Sequence, residues 1–212
     1  MTRRLLAMER VTYDGAFVHV HDIELDIVHG DRSPKQIPIY VGATGMKMME
    51  LAGEIGDGVV LNYMVSPAYT TDALAALAAG AARTGRSIED IDRPQLVVCS
   101  LDRDRTRALD RARALLTQYL GQQPHIMQAS GVSQDLIDAV GRELTWPATS
   151  AQIERAMRLV PDDVVQLLTA SGTPEECRAK VREYVAAGCT CPILYPLGDV
   201  PATLEAFAGG RF

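Results

Sequence analysis

The chain has 212 residues, 47% of them apolar and 23% charged, with a formal net charge of −6. That length suits one sizeable core and hardly two independent domains, and the acidic balance removes any general electrostatic pull toward nucleic acid or anionic membrane. No apolar run approaches the roughly 20 residues needed to cross a bilayer, and Met1-Thr2-Arg3-Arg4-Leu5-Leu6-Ala7 lacks the apolar stretch of a secretory signal.

Residues 11–29 alternate, with Val11, Tyr13, Phe17, Val18, Val20, Ile23, Leu25 and Ile27 broken by the turn signal Asp14-Gly15, which predicts a hairpin or an irregular extended pair. Charged and turn residues from Gly30 to Gln36 read as a loop. Ile37-Pro38-Ile39-Tyr40-Val41-Gly42 then reads as a buried parallel strand, because helices on both faces of such a strand remove the alternation. Met48, Leu51, Ala52 and Ile55 share one face of a following helix, which ends at Gly56-Asp57-Gly58 before a second buried strand, Val59-Val60-Leu61-Asn62.

The pattern repeats. Leu74, Leu77, Ala78 and Ala81 mark a helix that stops near Gly85; Leu96-Val97-Val98-Cys99 is a third strand; Leu109, Ala112, Leu115, Leu116 and Tyr119 mark a long helix. Residues 121–170 read as a helical insertion, with Ile153, Ala156, Met157 and Val160 on one face. Thr173-Pro174-Glu175-Glu176 carries a helix-start signature: a capping Thr, Pro at the first helical position, and Glu three residues after the cap. That helix turns Val181, Tyr184 and Val185 inward and stops at Gly188. Cys191-Pro192-Ile193-Leu194-Tyr195 is the fourth buried strand, and a short helix over about 201–208 follows. Strands alternating with helices indicate parallel α/β architecture, which leaves a barrel and an open sheet both available.

Several side chains invite chemistry. Gly42-Ala43-Thr44-Gly45 lies where a strand's C-terminal end meets a helix; small residues admit a ligand to the backbone, and the helix N-terminus offers free N–H groups and positive dipole. The same glycines also suit a tight packing turn. Asn62 and Tyr63 end the next strand, as readers of a ring or as a satisfied loop pair. Cys99 and Ser100 end the third strand, with no histidine beside them in sequence to activate a thiol. His19 and His21 share a strand face without a clear third ligand, so no metal is expected. Asp57 lies at a strand's N-terminal end, the side that usually serves stability. Asp102, Asp104 and the arginines from Arg103 to Arg113 read as a solvated, ion-paired helix face, and Met46, Met48 and Met49 as helix packing. Cys99, Cys177, Cys189 and Cys191 fit neither a disulfide framework nor a paired zinc motif; Cys189 and Cys191 would share a strand face, and all four read as free thiols in a reducing cytoplasm.

IPIYVGATGMKMMELAGEIGDGVVLN at residues 37–62 resembles a hallmark segment of the luciferase-like monooxygenase superfamily, especially the coenzyme F-420-dependent branch that includes methylenetetrahydromethanopterin reductase. SGTPEEC at 171–177, followed by VREYVAAGCTCPILYP, resembles a second. The resemblance runs from about Val11 onward. It implies the parallel (β/α)₈ TIM-barrel family, represented here by about four βα units, a C-terminal half barrel with a helical insertion in a single domain of residues 1–212. It also implies that Gly42, Ala43, Thr44 and Gly45 hold the coenzyme's phosphate and ribityl portion, with Asn62 and Tyr63 in the same pocket. Such a chain would be an oxidoreductase transferring hydride with a deazaflavin (F-420), or an FMN-dependent monooxygenase acting on a small-molecule substrate. No residue here is assigned as a catalytic base, because the family's ring-facing pocket draws on units absent from this chain. A third reading is a catalytically incomplete module for coenzyme binding or assembly. Four strands leave open edges and a bare apolar face, so the chain is expected to form a homo-oligomer or to pair with a separate N-terminal half.

Overall fold

A computed structural model describes residues 1–27 and 30–209, which fall into two compact units, Met1–Ile39 and Tyr40–Phe212. In the first, helix α1 (Thr2–Leu6) precedes an antiparallel pair, β1 (Val11–Asp14) and β2 (His19–Ile23), with a register irregularity between Val11 and Tyr13. The predicted turn is present: Gly15 N–H donates to the Val18 carbonyl at 2.9 Å. His19 Nδ1 pairs with the Asp14 carboxylate. The alternation beyond Ile23 forms no ladder, and residues 28–29 lie outside the described chain.

The second unit is α/β. Its strands are β3 (Tyr40–Gly42), β4 (Gly58–Val60), β5 (Pro94–Leu101), β6 (Ala170–Gly172) and β7 (Cys191–Pro196). Helix α2 (Met46–Ile55) joins β3 to β4, α3 (Pro67–Arg83) joins β4 to β5, and α9 (Pro174–Ala186) joins β6 to β7. Between β5 and β6 come α4 (Arg105–Gln122), α5 (Pro124–Ala129), α6 (Gln134–Glu143), α7 (Ser150–Met157) and α8 (Asp162–Leu168); α10 (Val200–Phe207) follows β7.

Every pairing in this unit is parallel. β3 pairs with β4, and β4 reaches the start of β5 through Val59 N–H to Asp92 O and Leu61 N–H to Pro94 O, both 2.8 Å. β5 pairs with β7 over Pro94–Cys99 and with β6 over Cys99–Leu101. Among the described residues these strands do not close into a barrel. β6 escaped the sequence reading because it is three residues long and made of Ala, Ser and Gly, which carry no strand signature.

Register assigns the faces. Tyr40 lies opposite Gly58, Gly42 opposite Val60, Leu96 opposite Ile193, and Val98 opposite Tyr195. The alternate set packs under helices: Val97 and Cys99, for example, meet Cys177, Val181 and Tyr184 of α9. On the first set's face Tyr40, Val60, Ile193 and Tyr195 remain 40–46% exposed. The strands read as fully buried are therefore bare along part of one face. Toward their C-terminal ends that face is covered: Val98 and Ser100 are buried, and Ser100 Oγ donates to the Ala108 carbonyl of α4 at 2.8 Å.

Polar ties hold the N-terminal strand ends. The Tyr40 ring lies over Gly58, where an added Cβ would come within 2.3 Å of it, and its hydroxyl donates to Asp92 Oδ2 at 2.6 Å. Asp92 Oδ1 accepts the Thr190 hydroxyl just before β7, and the Thr190 and Tyr40 bonds hold the Asp92 carboxyl below the usual carboxylate range. The buried Arg93 side chain donates to the carbonyls of Gly188, Ile88 and Ile91.

Helix α2 corrects the sequence reading. Its buried residues are Met49, Ala52 and Gly53, whereas Met48, Leu51 and Ile55 are exposed. The physical reason is glycine. α2 and α3 touch at Gly53 and Gly80, where an added Cβ would lie 2.1 Å from the Leu77 carbonyl oxygen and 1.8 Å from that of Glu50. A periodicity built on large apolar residues does not register a contact made by absent side chains. Arg83 seals the same helix pair through Glu50 at 2.6 Å and Glu54 at 2.9 Å. Val185 of α9, read as inward, is likewise exposed, while Val181 and Tyr184 are buried as expected.

The Thr173 capping box is present: Thr173 N–H donates to Glu176 Oε2 at 2.7 Å, and Glu176 N–H donates to Thr173 Oγ1 at 3.3 Å. Arg105 Nε at 2.9 Å and Gln166 Nε2 at 3.1 Å donate to the other carboxylate oxygen. Burial pushes this carboxyl up, but the bonds from Arg105, Thr173 and Gln166 outweigh it and hold the group down at about 2.

Two predictions follow from the packing and the cap. Gly80→Ala should destabilise by about 1–3 kcal/mol through overpacking, whereas Gly141→Ala, at an exposed α6 site with nothing near its Cβ, should stabilise by about 0.5–1 kcal/mol. Chemical denaturation of both variants checks the contrast. Because the folded pKa of Glu176 is depressed, its contribution is present above its ordinary value of 4.5 and is lost as pH falls toward about 2. Glu176→Gln should flatten the acid limb of stability against pH, as read by thermal melts.

Candidate functional site

The six residues singled out from sequence meet at one end of the sheet. Gly42 closes β3, Gly45 is the N-cap of α2, and Asn62 and Tyr63 follow β4, the parallel neighbour of β3. Both segments lie at strand C-terminal ends, the side on which parallel α/β folds gather ligands.

At residues 42–45 the glycines stand in open space. An added Cβ at Gly42 or Gly45 would meet nothing within 4 Å, and neither residue has a positive φ. Neither packing nor backbone conformation therefore requires glycine here, in contrast to Gly53 and Gly80. Gly45 is extended (φ −105°, ψ 150°), and no side chain caps the first turn of α2. An anion at this turn would find open space and amide N–H groups directed at it. Ala43 is buried and Thr44 exposed; the Thr44 carbonyl accepts the Tyr69 hydroxyl from α3, which anchors the loop from behind.

Asn62 is 8% exposed. Its Oδ1 accepts the Tyr63 N–H at 3.0 Å and faces the Tyr119 hydroxyl at 3.4 Å, and its backbone carbonyl accepts Gln95 Nε2 at 3.1 Å. Nδ2 is buried without a hydrogen-bond partner, and a stranded donor of this kind costs about 1–3 kcal/mol. Tyr63 and Tyr119 have ring centroids 4.9 Å apart at an interplanar angle of 50°.

Sequence reasoning missed Tyr69, Gln95 and Tyr119. Tyr119 read as an ordinary helix-face residue, and no local pattern singled out Tyr69 or Gln95. Only contacts across 25, 33 and 57 positions reveal their part.

The other candidates stay apart from this end. Cys99 is buried beside Cys177, and the four cysteines are free thiols. Cys189 is buried and Cys191 exposed, so they do not share an environment. Asp102 accepts Arg107 at 2.9 Å and Arg111 at 2.6 Å, and Asp104 caps α4. Asp102, Arg107 and Arg111 line a cavity of about 660 Å³ near the ends of β5, α9 and α10 that contains none of the predicted coenzyme residues. Asp102 is held well below the usual carboxylate range by the Asp104 amide and then by Arg107 and Arg111. No helix among the described residues is long and apolar enough to cross a membrane.

Residues 1–191 match the family described as luciferase-like monooxygenase. The chain belongs to this family. Over 189 residues it is 31% identical to the 5,10-methylenetetrahydromethanopterin reductase of Archaeoglobus fulgidus, covering 89% of this chain and 55% of that protein. Over 211 residues it is 30% identical to an F420-dependent glucose-6-phosphate dehydrogenase of Beutenbergia cavernae, covering 98% of this chain and 56% of that one. The chain thus spans little more than half the length of these curated relatives. In fold it is similar to the coenzyme F420-dependent tetrahydromethanopterin reductase of Methanopyrus kandleri, with a TM-score of 0.77 at 23% identity over 97% of this chain and 58% of that chain. An F420-dependent secondary alcohol dehydrogenase is similar with a TM-score of 0.70 at 18% identity, over 97% of this chain and 56% of that chain.

Removing the Tyr69 hydroxyl tests the anchor behind the glycine turn. Tyr69→Phe should cost about 1 kcal/mol and speed amide hydrogen exchange at residues 43–47 more than elsewhere, as measured by exchange mass spectrometry.

Proposed function

We propose that this chain is the coenzyme-binding part of a luciferase-like oxidoreductase, with a deazaflavin (F-420) as its coenzyme and FMN as the alternative. One observation carries the reading: Gly42 and Gly45 are glycines that nothing in the protein requires, at an uncapped helix start beside the stranded Asn62 amide. The backbone of Gly42, Ala43, Thr44 and Gly45 would hold the phosphate and ribityl portion, and Asn62 and Tyr63 would border the ring. The bound coenzyme supplies the hydride chemistry; these residues hold and orient it against a small-molecule substrate. Several relatives are F420-dependent by name, which favours the deazaflavin.

The bare sheet face supports a second element of the reading. Tyr40, Val60, Ile193 and Tyr195 are exposed on it, and Met48, Leu51 and Ile55 are exposed on α2 beside the β3 edge. Parallel sheets are stable when both faces are covered. We read β3, β4, β5 and β7 as about half of an eight-stranded barrel, completed by further βα units from a separate N-terminal half or a second copy of the chain. Without that completion, the chain would act as a coenzyme-binding or assembly module rather than an enzyme.

Titration of the purified chain with deazaflavin coenzyme and, in parallel, FMN tests the coenzyme. Saturable binding is expected, with Gly42→Val and Gly45→Val weakening it at least about 10-fold while leaving the melting midpoint nearly unchanged, because their side chains enter open space. Binding that ignores both substitutions would remove the phosphate role from this turn.

A further inference from the structure

The Asn62 amide is oriented by its surroundings. A backbone N–H needs an acceptor, so the 3.0 Å bond from Tyr63 N–H requires Oδ1 on that side and leaves Nδ2 on the other. Tyr119 adds to this from the long helix after β5. Its hydroxyl lies 3.4 Å from Oδ1, long for an O–H···O bond, while its ring packs against that of Tyr63. Burial pushes the Tyr119 hydroxyl above its ordinary value, so it stays protonated across neutral pH and serves as a donor. Both nearby donors thus point at Oδ1, and Nδ2, nine-tenths buried with its residue, has no partner among the described residues.

We propose that Asn62 is a donor dedicated to an acceptor atom on the bound coenzyme's ring, a ring carbonyl oxygen or unprotonated ring nitrogen, and that Tyr119 is its positioning residue. The inference rests on the coenzyme reading above and narrows it. The α4 helix becomes part of the site through Tyr119, although the sequence motif stops at residue 62. Recognition at Asn62 has a sign: the site selects ring edges that accept a hydrogen bond there and disfavours edges that donate one. A site built to hydrogen-bond a ligand group discriminates strongly against ligands lacking it, because its own polar atom is then left unpaired.

The experiment titrates the whole chain with deazaflavin coenzyme and FMN, comparing wild type with Asn62→Asp and Tyr119→Phe over a range of pH. Asn62→Asp keeps the shape and replaces the donor with an acceptor. Its binding should be about 10-fold weaker at neutral pH and should recover on acidification, as the new carboxyl regains a proton to donate. Wild-type binding should not strengthen over that range. Tyr119→Phe should weaken binding about threefold, consistent with its long bond, and should displace the Asn62 side-chain amide resonances of the free protein. In nitrogen–proton spectra of the wild type, the same amide pair should move on saturation with either coenzyme, a readout that needs no variant to fold. Equal affinity of wild type and a folded Asn62→Asp, or an Asn62 amide pair unmoved at saturation, would overturn the inference and leave the coenzyme reading standing. Wild type binding neither coenzyme would overturn both.

Discussion

Strand β5 is the element to which the rest of residues 40–209 is tied. Its backbone bonds to β7 along one edge and to β4 and then β6 along the other, and all of these pairings are parallel. Parallel strands require crossover connections, so this one strand obliges α3 and α9 to lie where they do, as the β3–β4 pairing does α2. Its alternating residues serve two environments. Val97 and Cys99 go to the α9 side, while Val98 goes to the face that α4 partly covers. Polar groups close its lower end, through Asp92 and Arg93, more than apolar ones do. Polar anchoring suits a strand end, where backbone carbonyls of adjoining turns need donors and water is near.

The candidate site inherits its rigidity from the same strand. Gln95 of β5 donates to the Asn62 carbonyl and shares Thr70 with α3, and Tyr69, one residue before Thr70, pins the Thr44 carbonyl. The glycine turn after β3 and the asparagine after β4 are therefore held from beneath by buried polar contacts. Their upper surfaces are left open or unsatisfied. A firm base under uncommitted donors is the arrangement a binding site needs, since the donors lose little freedom when a ligand arrives.

Glycine plays opposite parts across two successive βα units. Gly53 and Gly80 are required by the protein itself, because two helices approach until backbone meets backbone. Neither packing nor backbone conformation requires Gly42 and Gly45, since an added Cβ at either would enter open space. The two kinds are indistinguishable as letters. Helix α2 also shows the cost of reading helix faces from large apolar residues: Met48, Leu51 and Ile55 formed the predicted stripe yet are exposed.

The alternation of apolar runs with helical periodicities was enough to establish the parallel α/β class, the succession of the longer strands and helices, and the capped start of α9, because strand and helix periods and caps are local properties of neighbouring residues. The segments at 37–62 and 171–177 were enough to identify the family, and the same letters singled out Gly42–Gly45 and Asn62. Only tertiary structure decided which face of α2 is buried, that β6 exists, that β7 is bare on one side, and that Tyr69, Gln95 and Tyr119 support the site. Each of these depends on contacts between residues tens of positions apart, or on the absence of a covering layer, and no local pattern in a single chain carries either.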